Sequence, residues 1–400
     1  MATILLSAGD VSGERHAAAL VETLRARRAD LRFLGLGGER MRAAGVEIVV
    51  DQRELAVGGL VELLPELGRV WRAWRRLSRA LRDAPPDLVI LVDSGGFNLP
   101  FARRVRRRSQ ARILYFVAPQ VWAWRSERLE RLAERADRIV VALPLERDYY
   151  ARRGVAVEFF GHPIVDAFAR ARSSGGDGQE DSERRAAGRR RLDLPLDAPL
   201  LGLFPGSRRN ELRHHLPHQL EAVARLRSEP GGPGERLLGV IGLAPGLSRA
   251  ELRRAAPAAF DSAVAQGLLV RETADGALLD ALDVALVKPG TITLEAALHG
   301  CPMVVIARAH PFSVWLARRS AQVESVALPN LIADAVCVPE LVQADATPAR
   351  IAAALAPLFA GPARAAQRAA LARVVERLGP PGATDAVADV VEEMLGSARA

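Results

Sequence analysis

Short, continuous apolar runs recur along this chain, and each gives way to a loop before a helical pattern begins. In the first half they are Thr3-Ile4-Leu5-Leu6, Leu88-Val89-Ile90-Leu91-Val92, Ile113-Leu114-Tyr115-Phe116-Val117 and Ile139-Val140-Val141. In the second half they are Leu200-Leu201-Gly202-Leu203-Phe204, Leu237-Leu238-Gly239-Val240-Ile241, Val284-Ala285-Leu286-Val287 and Met303-Val304-Val305-Ile306. Successive strand side chains point to opposite faces, so a strand that is apolar throughout must be covered on both. Alternation with helical stripes, such as Ala19, Leu20, Val21 and Leu24, predicts an α/β fold with parallel sheets. At roughly 100–200 residues per domain, 400 residues make about two to three domains. Between the halves, Ser173 to Gly188 is polar and rich in Gly, Glu and Arg, which reads as a flexible insertion near a boundary. Two α/β domains of similar size, joined near residues 165–195, are therefore expected.

Composition removes several classes. A hydrophobic content of 49% excludes overall disorder, and no apolar run approaches the ~20 residues of a membrane-spanning helix. Met1 to Asp10 lacks the basic region and long apolar stretch of a secretory signal, so a cytosolic location is expected. Cys301 and Cys337, the two cysteines, are too few for a disulfide framework or a cysteine zinc site. The charge is unusual: 55 basic against 47 acidic residues give +8, and Lys288 is the single lysine. Nucleic acid, an anionic membrane and phosphorylated substrates all suit a basic surface, and biased codon usage alone would also produce one. Nucleic acid is the poorest of these, because the arginines are dispersed and no binding motif accompanies them.

In open parallel sheets ligands bind beyond the carboxyl ends of strands, so the junctions there carry the chemistry. Pro205-Gly206-Ser207-Arg208 follows a strand with a glycine for close approach, a hydroxyl and a planar cation suited to phosphate. Gly290-Thr291 opens another helical segment, whose free amides suit a diphosphate, with Glu295 one turn in for ribose hydroxyls. Each loop alone would pass as an ordinary turn; together they favour a nucleotide diphosphate site, with Lys288 beside it. Neither is a Walker motif. Gly35-Leu36-Gly37-Gly38-Glu39-Arg40 lacks the final glycine of a dinucleotide fingerprint and reads as a strand-end turn.

In the first half, Asp93 closes an apolar strand and precedes the open loop Ser94-Gly95-Gly96-Phe97-Asn98, a placement suited to a general base toward a hydroxyl. Asp10 and Glu14 flank the first loop, where holding sugar hydroxyls and capping a helix are equally good readings. His214-His215 reads as solvated surface, His162 as a turn residue and His16 as a loop or helix-start group. From Leu60 to Leu81 an apolar stripe (Leu63, Leu64, Leu67, Val70, Trp71, Trp74, Leu77, Leu81) is accompanied by Arg69, Arg72, Arg75, Arg76, Arg79 and Arg82. Such a helix suits an anionic bilayer surface, and equally a domain helix packed on its sheet.

Taken together, Ser7-Ala8-Gly9-Asp10-Val11-Ser12-Gly13-Glu14, Val92 to Asn98, Ala118-Pro119-Gln120-Val121-Trp122-Ala123-Trp124-Arg125, Phe160-Gly161-His162-Pro163, Leu203 to Arg208, Lys288-Pro289-Gly290-Thr291 with Leu294-Glu295, and Leu328-Pro329-Asn330-Leu331 resemble the lipid-A-disaccharide synthase family. The motifs stand in family order from residue 4 to about residue 343. The resemblance implies a GT-B glycosyltransferase, with two Rossmann-like parallel-sheet domains facing across a cleft. Its domains would be residues 1–168 on the acceptor and membrane side, a linker with the flexible insertion at 169–195, and a UDP-sugar domain at 196–375. A C-terminal helix at 376–400 would cross back to the first domain.

The implied reaction transfers the sugar of UDP-2,3-diacylglucosamine to the 6-hydroxyl of 2,3-diacylglucosamine 1-phosphate, with inversion, without metal or cofactor, at the cytoplasmic face of the inner membrane. Asp93 and Asn330 would be catalytic. Asp10, Ser12, Glu14, Asn98, Trp122, Trp124 and Arg125 would contact the acylated sugars. Gly206, Ser207, Arg208, Lys288, Gly290, Thr291 and Glu295 would bind UDP. Three departures from the family pattern are present: the acids at Asp10 and Glu14 are exchanged, Gly96 stands where a second Asp is usual, and Pro289 replaces a usual Ser. Another UDP-sugar transferase or epimerase, and an impaired paralogue that binds nucleotide sugars or membranes, are the competing readings.

Overall fold

The computed structural model describes residues 1–55, 63–119, 128–173, 181–229, 232–272, 276–309 and 325–396. The chain forms two compact units: the first comprises Met1–Ala167 and the C-terminal stretch from Leu378, and the second lies within Phe168–Arg377.

In the first unit the strands are β1 (Ala2–Ala8), β2 (Leu31–Gly37), β3 (Glu47–Asp51), β4 (Leu88–Val92), β5 (Arg112–Phe116) and β6 (Arg138–Val140), with α1 (Val11–Arg27) and α2 (Glu39–Ala43) in the first crossovers. They pair in parallel in the order β3-β2-β1-β4-β5-β6. The second unit holds β7 (Leu200–Phe204), β8 (Leu238–Leu243), β9 (Leu269–Glu272), β10 (Val284–Val287), β11 (Met303–Ala307) and β12 (Glu340–Val342), all parallel, in the order β12-β11-β10-β7-β8-β9. Counted within its own unit, each sheet has the doubly wound order 3-2-1-4-5-6.

The apolar runs have the expected cause. Ile4, Leu6, Ala8, Ile90 and Val92 pack with Leu20 and Leu24 of α1 on one face, and the alternate residues Leu5, Val89, Leu91 and Ile113 are buried as well. The second sheet divides the same way, with Leu201, Leu203 and Leu286 in one core and Leu200, Ala285 and Val287 in another. Full burial of each Leu, Ile or Val side chain among them is worth about 1.5–3 kcal/mol over exposure.

Two segments are placed by polar anchors. The helix Ala383–Gly396 puts Val387, Val391 and Met394 into the first unit's core, and Arg27 of α1 donates to Asp385 and Asp389 at 2.9 and 2.5 Å. Asp166 fixes its start by accepting from the amides of Gly382 and Thr384, both at 2.7 Å. Within the stretch 169–195, read as a linker with a flexible insertion, Asp181–Arg191 is a helix. It carries no apolar stripe. Arg189 anchors it instead, a buried guanidinium donating to the carbonyls of Ala281 (3.0 Å) and Leu196 (2.6 Å) and to Asp283 (2.8 Å).

Candidate functional site

In each sheet the strand order reverses between two central strands, β1 and β4 in the first, β7 and β10 in the second. Ligands of open α/β sheets bind at such switch points, beyond the strand ends. The last residues of β1 and β4, Ala8 and Val92, are paired, so the Gly9-Asp10 and Asp93-Ser94 loops leave the sheet side by side.

The Asp93 loop is strained. Asp93 and Ser94 have φ of 47° and 44°, and Val117, after the neighbouring β5, has 53°. The left-handed region costs a residue with a side chain about 1–2 kcal/mol, and a β-branched valine is a clear outlier there. Hydrogen bonds hold the geometry: the Asp93 carbonyl accepts from the Tyr115 hydroxyl at 2.8 Å and from Asn98 Nδ2 at 3.0 Å. Burial, with the Asp93 charge second, pushes the Tyr115 phenol well above its ordinary range and keeps it a donor. Ser94 Oγ donates to Asp10 Oδ2 at 2.8 Å. Asp10 Oδ1 caps α1, accepting from the Gly13 amide at 2.7 Å and from Ser12 Oγ at 2.9 Å. Of the two readings of Asp10, the structure shows the helix cap, and the same carboxylate braces the Asp93 loop. Strain of this kind concentrates at functional sites, because surrounding structure must over-determine it.

Three expected ligand contacts are instead turned inward. Asn98, expected on the substrate, is fully buried: its amide faces the carbonyls of Ser7, Val92 and Asp93 at 3.0–3.1 Å and its oxygen accepts from Ser7 Oγ at 2.6 Å. Glu14 is 4% exposed and caps α2, accepting from the Arg40 amide at 2.8 Å and from the side chain of Gln52. Asn330, expected to be catalytic, donates to the Val338 carbonyl at 2.9 Å and Glu340 at 2.7 Å, and accepts from the amides of Cys337 and Val338, both at 2.8 Å. The physical reason is common to all: backbone groups at buried chain reversals need partners, and these side chains supply them. Trp122, Trp124 and Arg125 lie outside the described residues.

At the second switch point Phe204 pairs with Val287, which sets the Pro205–Arg208 and Lys288–Thr291 loops next to one another. Gly206 and Gly290 take φ of 129° and 134°, conformations closed to residues with a side chain. Ser207 and Arg208 are exposed, and Arg208 precedes the helix Arg209–Leu226. Thr291 precedes the helix Ile292–Leu298, on which Glu295 lies half-buried.

Sequence reasoning missed Glu211. Its carboxylate accepts from the Ser207 amide at 2.8 Å, from the Arg208 amide at 3.3 Å and from Lys288 Nζ at 3.0 Å. Burial alone would push this carboxyl up, but Lys288 and the Ser207 amide bring it below its ordinary value. The available signal was its spacing, third residue into a helix after the Arg208 cap, where an acid reaches back to the cap amide. His215, expected on the surface, is buried. In the tautomer protonated at Nδ1 it donates to the Glu211 carbonyl at 2.9 Å and accepts from the Arg308 amide at 3.1 Å, and burial pushes its pKa down to about 4. His16 and His162 are also buried, ring against ring at 5.7 Å.

The basic helix α3 (Leu63–Asp83) resolves into two faces over its described side chains. Ala73, Leu77 and Leu81 are buried, and Trp74 packs edge-on against Phe97 and Phe101 of α4 (Gly95–Arg108), each at 5.7 Å. Trp71 is 57% exposed under the Arg75 guanidinium, 4.5 Å above its ring, and Arg72, Arg79 and Arg82 are exposed. Among the described side chains of the stripe, Trp74, Leu77 and Leu81 are therefore ordinary packing, and Trp71 remains outside it. Among the described residues no helix is long and apolar enough to cross a membrane, and no group of three His, Cys, Asp or Glu side chains could hold a metal ion.

Comparison with known proteins agrees with the doubly wound pair. A family model described as lipid-A-disaccharide synthetase matches residues 4–393. Proteins named lipid-A-disaccharide synthase from Geobacter metallireducens and Myxococcus xanthus are each 38% identical, with 99% of this chain and 98% of theirs aligned. Among solved structures, the calicheamicin glycosyltransferase CalG4 superposes with a TM-score of 0.58 at 19% identity, covering 99% of this chain and 98% of its own. The UDP-GlcNAc 2-epimerase of Neisseria meningitidis, solved with UDP-GlcNAc, gives 0.65 at 10% identity, covering 98% and 99%. At such identities these two establish the shared GT-B fold alone.

Proposed function

The chain belongs to the lipid-A-disaccharide synthetase family of glycosyltransferases in lipid A biosynthesis, and on that footing we propose how its own residues perform the transfer. Asp93 is the general base. Its carboxylate takes the proton of the 6-hydroxyl of 2,3-diacylglucosamine 1-phosphate as that oxygen attacks the anomeric carbon of UDP-2,3-diacylglucosamine. The new C–O bond forms on the face opposite the breaking bond, which inverts the centre, and UDP leaves with the electron pair. Arg208, Lys288 and the amides of the Gly206-Ser207 and Gly290-Thr291 loops offset the charge that develops on the diphosphate, and Glu295 takes ribose hydroxyls. Asp10, Ser12, Asn98 and Glu14 act behind Asp93 by fixing its loop and the adjoining turn. Trp122, Trp124 and Arg125 are acceptor-side candidates on the family resemblance alone.

The observation that carries this reading is the Asp93 loop, held in two consecutive left-handed residues at a switch point by Tyr115, Asn98 and Asp10. The reading includes docking on the cytoplasmic face of the inner membrane. Trp71 with Arg72, Arg75, Arg79 and Arg82 supports it, since an exposed indole among guanidinium groups suits the interface of an anionic bilayer holding both acylated substrates.

The test is incubation of purified protein with the two acylated glucosamine substrates, scoring disaccharide 1-phosphate and UDP. Formation of both by the wild type is expected, with a loss of about 10²–10⁴-fold in kcat for Asp93→Asn. Undiminished turnover in that variant would reject Asp93 as the base, and no product from wild type would reject the reaction.

A further inference from the structure

The loops assigned to the donor diphosphate already hold an anion of the protein's own. Glu211 sits one turn inside the helix that follows Arg208. One carboxylate oxygen takes the Ser207 and Arg208 amides at 2.8 and 3.3 Å, and the other takes Lys288 Nζ at 3.0 Å. The contact is tight: a Cβ at Gly206 would lie 2.4 Å from Glu211 Oε2, so this turn and this side chain are fitted to one another. Lys288 comes from the other strand of the switch point, so one carboxylate joins the β7 and β10 loops. His215, one turn further along the same helix, reaches the Arg308 amide just beyond β11 at 3.1 Å. The first two turns of the helix thus tie down three strand ends.

We propose that Glu211 is the positioning residue of the nucleoside-diphosphate site, acting through Lys288. A lysine ammonium on a four-carbon stem loses much rotamer freedom on binding a phosphate. Glu211 removes that loss beforehand by pinning Nζ, whose two other N–H donors remain for the ligand. A carboxylate near a diphosphate also repels it, which would favour the opposite outcome. Here Lys288 neutralises the charge at contact, and the exposed Ser207-Arg208 turn is open to water and salt, which screen what remains. Positioning is therefore the larger effect. This inference rests on the assignment of the two loops to the donor.

The experiment titrates full-length protein with UDP, and in parallel measures donor and acceptor KM, for Glu211→Gln, Lys288→Met, the double variant and Arg208→Ala. Gln keeps the size of the side chain and an acceptor for the Ser207 amide, and thermal unfolding confirms that each variant is folded. Glu211→Gln and Lys288→Met are each expected to weaken UDP binding about tenfold. The double variant should be no weaker than Lys288→Met by more than about twofold, because two groups acting through one interaction do not add. Donor KM should rise and acceptor KM stay level. Multiplied losses in the double variant, unchanged UDP affinity in Glu211→Gln, or tighter binding there would each overturn the proposal, the last by showing that the carboxylate competes with diphosphate. If Lys288→Met and Arg208→Ala both bind UDP as the wild type does, the donor-site assignment beneath it fails instead.

Discussion

Replacing Asn98 by alanine separates a scaffold role from a substrate contact. The side chain is wholly buried and sits where β1, β4 and the Asp93 turn meet. Truncation removes the amide that serves the carbonyls of Ser7, Val92 and Asp93, and strands Ser7 Oγ, whose 2.6 Å bond is to Asn98 Oδ1. The Asp93 carbonyl keeps the Tyr115 hydroxyl, so its loss is partial. Two or three hydrogen bonds at about 1 kcal/mol each, with one or two buried groups left unpaired, bring the cost to about 3–5 kcal/mol. Tyr115→Phe removes a single donor from a carbonyl that retains Asn98, so about 1 kcal/mol is expected. Urea unfolding followed by circular dichroism reads both, and kinetics under native conditions should show kcat falling in Asn98→Ala as the strained turn relaxes. A stability change under about 0.5 kcal/mol combined with a raised acceptor KM would refute the reasoning and return Asn98 to the substrate.

Gly96 is exposed in the first turn of α4, and a Cβ there would meet no atom within 4 Å, so Gly96→Asp should fit and stabilise by about 0.5–1 kcal/mol through helix propensity and dipole, read as a higher Tm. Trp71→Ala should weaken sedimentation with anionic vesicles, increasingly so at high salt, and leave unfolding within about 0.5 kcal/mol, whereas Trp74→Ala should cost about 3–5 kcal/mol by emptying its niche against Phe97 and Phe101. Burial, reinforced by Arg15, holds His162 at about 3, below the ordinary 6.5. The unfolded chain therefore binds the extra proton first, so stability is full above pH 6.5 and falls as pH drops toward 3, by about 2 kcal/mol at pH 5. His162→Asn should flatten that limb of a denaturation series; an unchanged slope would exclude His162 as its source.

The strands and their covering on both faces were legible because Leu88–Val92 and its counterparts are local patterns, read within five or six residues. Strand-end loops were legible for the same reason, and Asp93, Gly206 and Gly290 stand where the strand pattern places them. Glu211 was not, since what distinguishes it is contact with Lys288, 77 residues away. Nor was the inward turn of Asn98, Glu14 and Asn330. An amide or carboxylate in a loop reads alike whether it faces a sugar or a buried carbonyl.

By itself the sequence determined the element types, the two α/β units and the short set of polar residues at strand ends, because periodicity and turn chemistry act between near neighbours. Only the tertiary structure decided that β1 meets β4 and β7 meets β10, and so which ends form switch points. It also decided which polar side chains remain at those ends for a ligand. That choice depends on the backbone groups stranded by packing, and their positions exist only once distant strands have paired.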